Sequence, residues 1–238
     1  MDGMDGMDGT NGVDGVDGVD GVDTGGSNAG GSDTGTIAGW LERLASADPA
    51  PGGGAAAAMQ VAIGAALVSM VTNLTIGKPV HAAHEEHATQ VRERADALRI
   101  EALRLGREDE AAFTALMTAY RLPRTTEEER TARRDAVRSA THAAALPPLA
   151  IAAAAADVVA LAESLRGRSN PQVVSDLAVA AAAAAGAAES AAVNVEINLS
   201  SLPDSDVKAE LTADLEEHLA VAERGRSLVA DIRREITR

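Results

Sequence analysis

The pattern of apolar and polar positions along the chain predicts helices and no strands. Apolar residues recur at helical spacing, as at Trp40, Leu41 and Leu44, whereas runs that alternate with period two are missing. Alanine, the best helix former, carries much of the apolar content, and the only aromatic residues are Trp40, Phe113 and Tyr120. The chain is therefore predicted to be all-α.

Capping and helix-breaking residues divide the chain after residue 35 into a bundle of about six long helices. Pro123 ends the third segment, and Asn170 followed by Pro171 is a favourable start for the fifth. Gly106 is expected to loosen the third helix, and two prolines at 147–148 are expected to kink the fourth. The predicted helices span about 36–47, 54–77, 81–122, 125–166, 170–199 and 205–236.

The chain is predicted to consist of a disordered tail, residues 1–35, and one helical domain, residues 36–238. The tail repeats Asp-Gly triplets and contains eight of the 36 acidic residues but none of the 21 basic ones. Nothing in it can be buried, and its like charges repel. The domain itself is only mildly acidic, but a net charge of −15 argues against a nucleic-acid partner.

Several classes of chemistry are excluded or disfavoured by residue type. The chain has no cysteine, which excludes disulfides and thiolate catalysis and suits a cytoplasmic location. His81, His84 and His87 could be imagined as metal ligands, but a solvated helix start is the better interpretation, and no metal is expected. The uncharged run 49–77 is long enough to cross a bilayer, yet its polar interruptions favour a buried helix, with no membrane partner.

The most informative segment is the turn that precedes this uncharged helix. Two prolines and the glycines Gly52, Gly53 and Gly54 lead directly into a run of small residues. The free N–H groups of a helix start favour anionic or electron-rich ligands, so the turn is a candidate binding loop. A tight structural turn before a buried helix is the alternative interpretation.

Two acidic residues stand out in the helical domain. Asp109 lies in a charged stretch and, taken alone, resembles any solvated acid. Asp176 falls near the start of an otherwise apolar helix, where a carboxylate needs a partner. Asn194 lies further along the same helix, and helix–helix hydrogen bonds would explain both polar groups without any catalysis.

Taken together, these motifs resemble the cyclodeaminase/cyclohydrolase family, which comprises the C-terminal domain of formiminotransferase-cyclodeaminase and stand-alone methenyltetrahydrofolate cyclohydrolases. The resemblance covers nearly the whole chain after the tail, with the motifs in the same order. One position departs from the pattern, because Ala55 follows the glycines where the family usually has serine. The motifs are Pro-Gly-Gly-Gly at 51–54, Gly-Ala-Ala-Leu-Val-Ser at 64–69, Asn-Leu-Thr-Ile-Gly-Lys at 73–78, Asp-x-x-Ala-Phe at 109–113, Ser-Asp-Leu at 175–177 and Asn-Val-x-Ile-Asn-Leu at 194–199.

The resemblance implies an all-α homodimer that acts on a tetrahydrofolate derivative as substrate, with no bound cofactor. The implied reaction is the closure of 5-formimidoyltetrahydrofolate with release of ammonia, or the hydrolysis of 5,10-methenyltetrahydrofolate. Asp109 matches the family's proposed catalytic acid, and Arg166 and Arg168 are weaker candidates to bind the glutamate tail. The substrate-binding residues implied are Gly52, Gly53, Gly54, Lys78, Asn170, Asp176 and Asn194. A non-catalytic helical dimer that binds folate or a protein partner is the alternative.

Overall fold

The computed structural model describes residues 35–238, and the proposed tail lies almost wholly outside the described residues. In this range the chain forms an all-α bundle of one short and five long helices, with no strand. The helices are α1 (Ile37–Leu44), α2 (Gly53–Asn73), α3 (Glu85–Tyr120), α4 (Glu127–Leu165), α5 (Val174–Ser200) and α6 (Asp206–Ile236), with short 3-10 helices at Pro79–His84 and Pro171–Val173.

Local capping explains where most helices begin. The hydroxyl of Thr126 accepts a hydrogen bond from the backbone N–H of Glu129, whose side chain in turn accepts from the Thr126 N–H. Asn170 accepts from the N–H of Gln172, and Ser205 accepts from the N–H of Lys208. These bonds satisfy N–H groups that have no partner within the helix, so the chain turns at the predicted places.

The apolar helices α2 and α5 lie antiparallel at the centre of the bundle. The start of α2 lies beside the end of α5, and the carbonyl of Leu74, which follows α2, accepts a hydrogen bond from Asn170 before α5. The axes come close because the contact residues are small: a β-carbon on Gly64 would lie 3.1 Å from the carbonyl oxygen of Ala180. Helices α3, α4 and α6 cover this pair with one apolar face each and expose their charged faces.

One local expectation needs revision. Helix α3 runs without interruption through Gly106, because this glycine is buried where α3 meets α2 and a β-carbon there would lie 3.2 Å from that of Ala58. Gly106 therefore permits close packing and does not loosen the helix. Helix α4 continues through Pro147 and Pro148 to Leu165, over nearly the whole range that the sequence predicts for it.

Three helices are long and apolar enough, by length and composition, to cross a membrane. In the most apolar window of each, half or more of the residues are buried inside the bundle, at 61%, 61% and 50% in chain order. This burial accounts for much of their apolar surface. The helices are Gly53–Asn73, Glu127–Leu165 and Pro171–Ser200, the last including its 3-10 start.

Candidate active site

The glycine-rich turn lies against α3. The peptide bond between Ala50 and Pro51 is cis, and Pro51 is buried. Gly52 is the N-cap residue of α2. A β-carbon on Gly54 would overlap the carboxyl group of Asp109, so only glycine lets the start of α2 come this close to α3. The structure therefore brings together two of the predicted site segments, the turn and Asp109.

One of the free N–H groups at the start of α2 binds this carboxylate. The backbone N–H of Ala55 hydrogen bonds to Asp109. An anion is indeed bound at this helix start, as the free N–H groups of a helix predict, but it is a side chain of the protein. The turn therefore fixes the position of Asp109 in addition to lining the cleft.

The environment of Asp109 alters its proton affinity. Burial raises the pKa of the Asp109 carboxyl group to about 6, the hydrogen bond from Ala55 opposes this rise, and the negative charge of Glu110 adds to it. A carboxyl group with this pKa is mostly ionised at neutral pH and can still take up a proton. Such a group can move a proton in both directions during one reaction.

Two asparagines of α5 face the same carboxylate across the cleft. The Asn194 side-chain N–H donates to the carbonyl of Ser190, and the Asn198 side-chain N–H groups donate to the carbonyls of Ala144 and Asn194. Because these bonds engage the amide nitrogens, the oxygen of each side chain remains for a ligand. A β-carbon on Gly53 would lie 3.1 Å from the Asn194 nitrogen, so the start of α2 is also in tight contact with this side chain.

These groups enclose a cleft of about 160 Å³ between α2, α3, α4 and α5. Its polar wall consists largely of oxygen acceptors, which suits a cationic centre. Its apolar wall suits a flat ring. The cleft is lined by Pro49, Ala50, Gly52, Gly53, Gly54, Asp109, Glu110, Phe113, Ala144, Asn194, Ile197 and Asn198.

Three of the sequence-predicted binding residues lie at the opposite end of the bundle within one chain. Asn170 donates to Thr75 and Leu74, and so fastens the start of α5 to the end of α2. Asp176 lies in the first turn of α5, and Lys78 is exposed after α2. Because α2 has 21 residues, about 30 Å separates this end from the cleft. Their role in substrate binding stays a prediction.

The cleft also contains residues that the sequence analysis did not select. Phe113 follows Asp109 by four residues on α3, and Asn198 follows Asn194 by four on α5. Residues four apart share one helix face, so this spacing could have identified both. Glu110 also lines the cleft; neighbouring acids gave no signal that would have distinguished it.

A larger cavity, of about 370 Å³, lies between α3, α4 and α6. Both of its arginines are engaged in ion pairs: Arg94 pairs with Asp157, and Arg224 pairs with Glu163, which lies outside the lining. The cleft at Asp109 holds the carboxyl group whose pKa is raised by burial and is therefore the candidate active site.

The model of the formiminotransferase-cyclodeaminase family matches residues 36–217 of this chain. The chain therefore belongs to that family. It is 42% identical over 187 residues to the methenyltetrahydrofolate cyclohydrolase of Methylorubrum extorquens, covering 79% of this chain and 90% of that protein. It is 31% identical over 192 residues to the formimidoyltransferase-cyclodeaminase of Mus musculus, covering 74% of this chain and 32% of that protein.

A solved structure extends this relationship to the fold. The crystal structure of formiminotetrahydrofolate cyclodeaminase from Thermotoga maritima matches with a TM-score of 0.76 and 26% identity, and covers 85% of this chain and 98% of that one. The expected family and all-α fold are thus confirmed.

Proposed function

We propose that this chain is a folate one-carbon enzyme that acts on the carbon between N5 and N10 of tetrahydrofolate. Hydrolysis of 5,10-methenyltetrahydrofolate to the 10-formyl compound is the leading reaction, because the cyclohydrolase relative is 42% identical over most of both chains. The observation that carries the proposal is the half-buried Asp109 carboxyl group, with a pKa of about 6, in a cleft lined by oxygen acceptors.

The chemistry of the substrate fits these acceptors. The methenyl carbon shares a positive charge with N5 and N10, and the oxygens of Asp109, Asn194 and Asn198 supply negative potential beside it. The side chain of Phe113 provides an apolar surface for one of the rings. Substrate recognition therefore requires no metal and no bound cofactor in this proposal.

The hydrolysis can be written with Asp109 as the proton carrier. Ionised Asp109 accepts a proton from water while the water oxygen bonds to the methenyl carbon. Protonated Asp109 then gives its proton to N5 as the bond between that carbon and N5 breaks. The hydroxyl proton of the adduct leaves to solvent, so a formyl group remains on N10 and one proton is released. A pKa of about 6 suits both steps.

Cyclodeamination is the second candidate, favoured by the structural match to formiminotetrahydrofolate cyclodeaminase. In this reaction N10 attacks the formimidoyl carbon on N5, and the amino group of the adduct is protonated and leaves as ammonia. The product is the methenyl cation, so the same acceptors and the same proton carrier serve. The same cleft residues therefore serve attack by water on the methenyl carbon or attack by N10 on the formimidoyl carbon.

The test is an ultraviolet assay of the purified full chain with both folate substrates. The methenyl compound absorbs distinctively, so hydrolysis removes the signal and cyclodeamination creates it. Loss of signal faster than the uncatalysed rate supports the cyclohydrolase. Binding of both substrates without turnover would reject the enzymatic proposal and favour the non-catalytic helical dimer.

We also propose that the chain acts as a homodimer through the exposed apolar faces of α2 and α5. Ile63 and Met70 share one face of α2, and Val179 and Val193 share one face of α5; Val193 is 63% exposed. Because α2 and α5 pack side by side, the two faces form one apolar surface. A second copy would cover it in a two-fold arrangement.

A further inference from the structure

A second cavity lies next to the Asp109 cleft, between α1, α2 and α3. It has a volume of about 280 Å³, and its walls include the ring of Trp40 and the apolar side chains of Met59 and Leu103. Two arginines, Arg43 of α1 and Arg107 of α3, also line it. We call it the arginine cavity.

The two guanidinium groups are without acidic partners in the part of the chain that the structure describes. Neither Arg43 nor Arg107 forms an ion pair with any residue in 35–238, whereas an arginine of the larger cavity, Arg94, pairs with Asp157. The Nε atom of Arg43 is buried and has no hydrogen-bond partner among these residues. A buried donor without a partner is costly, and it indicates a group that a ligand would satisfy.

The arginine cavity shares walls with the Asp109 cleft. The side chain of Ala55 lines the cavity, while its backbone N–H donates to Asp109. Glu110 lines both spaces. A ligand whose reactive carbon lies at Asp109 could therefore extend past this shared wall. Against the two arginines, the single carboxylate of Glu110 leaves the cavity with an excess of positive charge.

We propose that the arginine cavity binds the glutamyl carboxylates of the folate substrate, an inference that rests on the proposed function. Beyond N10, a folate continues with an aromatic ring, an amide and a glutamate with two carboxylates. Arg43 and Arg107 supply forked donors for those carboxylates, and Trp40 and Met59 supply an apolar wall for the connecting carbons. This assigns to Arg43 and Arg107 the role that the sequence suggested for Lys78, Arg166 and Arg168.

The position of those three cations supports the reassignment. Arg166 is ion-paired with Asp231 at 2.7 Å, and Lys78 lies beyond the far end of α2. Arg168 follows the end of α4 and precedes the Asn170 cap, which is fastened to that same end of α2. Within one chain these groups cannot reach a substrate whose carbon lies at Asp109.

Trp40 provides a direct measurement, since it is the only tryptophan in the chain. Titration of the full chain with a γ-linked triglutamate peptide, which has no pteridine, should change its fluorescence in a saturable manner. Arg43→Gln and Arg107→Gln should each weaken this binding about tenfold, the effect of losing one charge-assisted hydrogen bond. The matched control is Arg233→Gln, an exposed arginine near the end of α6.

Steady-state kinetics give a second, independent measurement. With a triglutamylated folate, either variant should raise KM about tenfold and leave kcat unchanged, and the effect should be smaller for the monoglutamate. Equal effects on both substrates, or a fluorescence signal that does not respond to the peptide, would overturn the inference. Peptide binding that needs both arginines, in a chain without turnover, would reject the proposed reaction but establish the glutamyl site. Circular dichroism melting confirms that each variant is folded.

Discussion

The carboxyl group of Asp109 occupies the space where any residue other than glycine would place its β-carbon at position 54. This contact joins the start of α2 to the middle of α3. Burial is the largest cause of the raised pKa of this carboxyl group, and the contact with the start of α2 contributes to that burial. The two residues in contact are 55 positions apart in the sequence.

Gly54→Ala should displace Asp109 and reduce turnover at least tenfold, because a methyl group and the carboxyl group cannot share the same space. The assay is kcat for the methenyl substrate, with melting temperature as a measure of folding. Gly186→Ala is the matched control: it lies inside α5, where a β-carbon would meet only Gln60 at an ordinary 3.6 Å. Gly186 lies between Val179 and Val193 on the proposed dimer face, so light scattering must show that the control keeps the oligomeric state of the wild type. The control should keep activity and gain up to about 1 kcal/mol of stability.

Asp109→Asn should lower kcat by about 10²–10⁴, because the amide keeps the shape of the side chain and cannot carry the proton. Glu108→Gln, an adjacent exposed residue of the same helix that pairs with Arg104, removes the same charge outside the cleft and should leave kcat unchanged. Near-normal turnover in Asp109→Asn would show that another group moves the proton.

The rate should depend on pH through Asp109. Because its pKa is raised to about 6, the base is lost as pH falls through this value, so kcat/KM for hydrolysis should drop about tenfold per pH unit below it. An ordinary exposed aspartate would place this limb near pH 4. A plot of kcat/KM against pH shows where the rate begins to fall. A kcat/KM that stays constant between pH 5 and 7 contradicts the proposal.

The same raised pKa affects stability with a defined sign. Between about pH 4 and pH 6 the folded chain holds the Asp109 proton while the unfolded chain has lost it, so the unfolding free energy decreases as pH rises. The Asp109→Asn variant has no carboxyl group at this position, so its unfolding free energy lacks this pH dependence. Denaturant unfolding should therefore show the variant gaining stability relative to the wild type across that window and keeping this gain at pH 7. A constant difference across the window would argue against a buried, protonatable Asp109.

Val193→Glu should convert the proposed homodimer to a monomer, because it places a charge in the centre of the apolar surface on α5. Light scattering in dilute solution measures the change. Val207→Glu on α6 is the control, since Val207 is also exposed, at 47%, but lies on another helix. A wild-type monomer with full activity would reject the interface, and a dimer insensitive to Val193→Glu would place it elsewhere.

Much of the architecture follows from local rules that are visible in the sequence. Thr126 and Glu129 specify a capping box by their own spacing, and Asn170-Pro171 specifies a helix start, so the helix boundaries were predicted to within a few residues. The prediction that Gly106 loosens α3 was wrong because it relied on such local rules. Local propensity identifies a weak helix former, whereas its actual role depends on Ala58 of another helix.

The sequence by itself determined the class of fold, because periodicity and caps are properties of neighbouring residues, and its motifs in their order indicated the family. The resemblance to that family, and not local pattern, selected the Gly-rich turn and Asp109. Only the tertiary structure decided which polar residues share a site. It placed Asp109, Asn194 and Asn198 at one end of the α2–α5 pair and Lys78, Asn170 and Asp176 at the other. The physical reason is that proximity and burial arise between helices distant in sequence, and burial is what gives Asp109 its pKa.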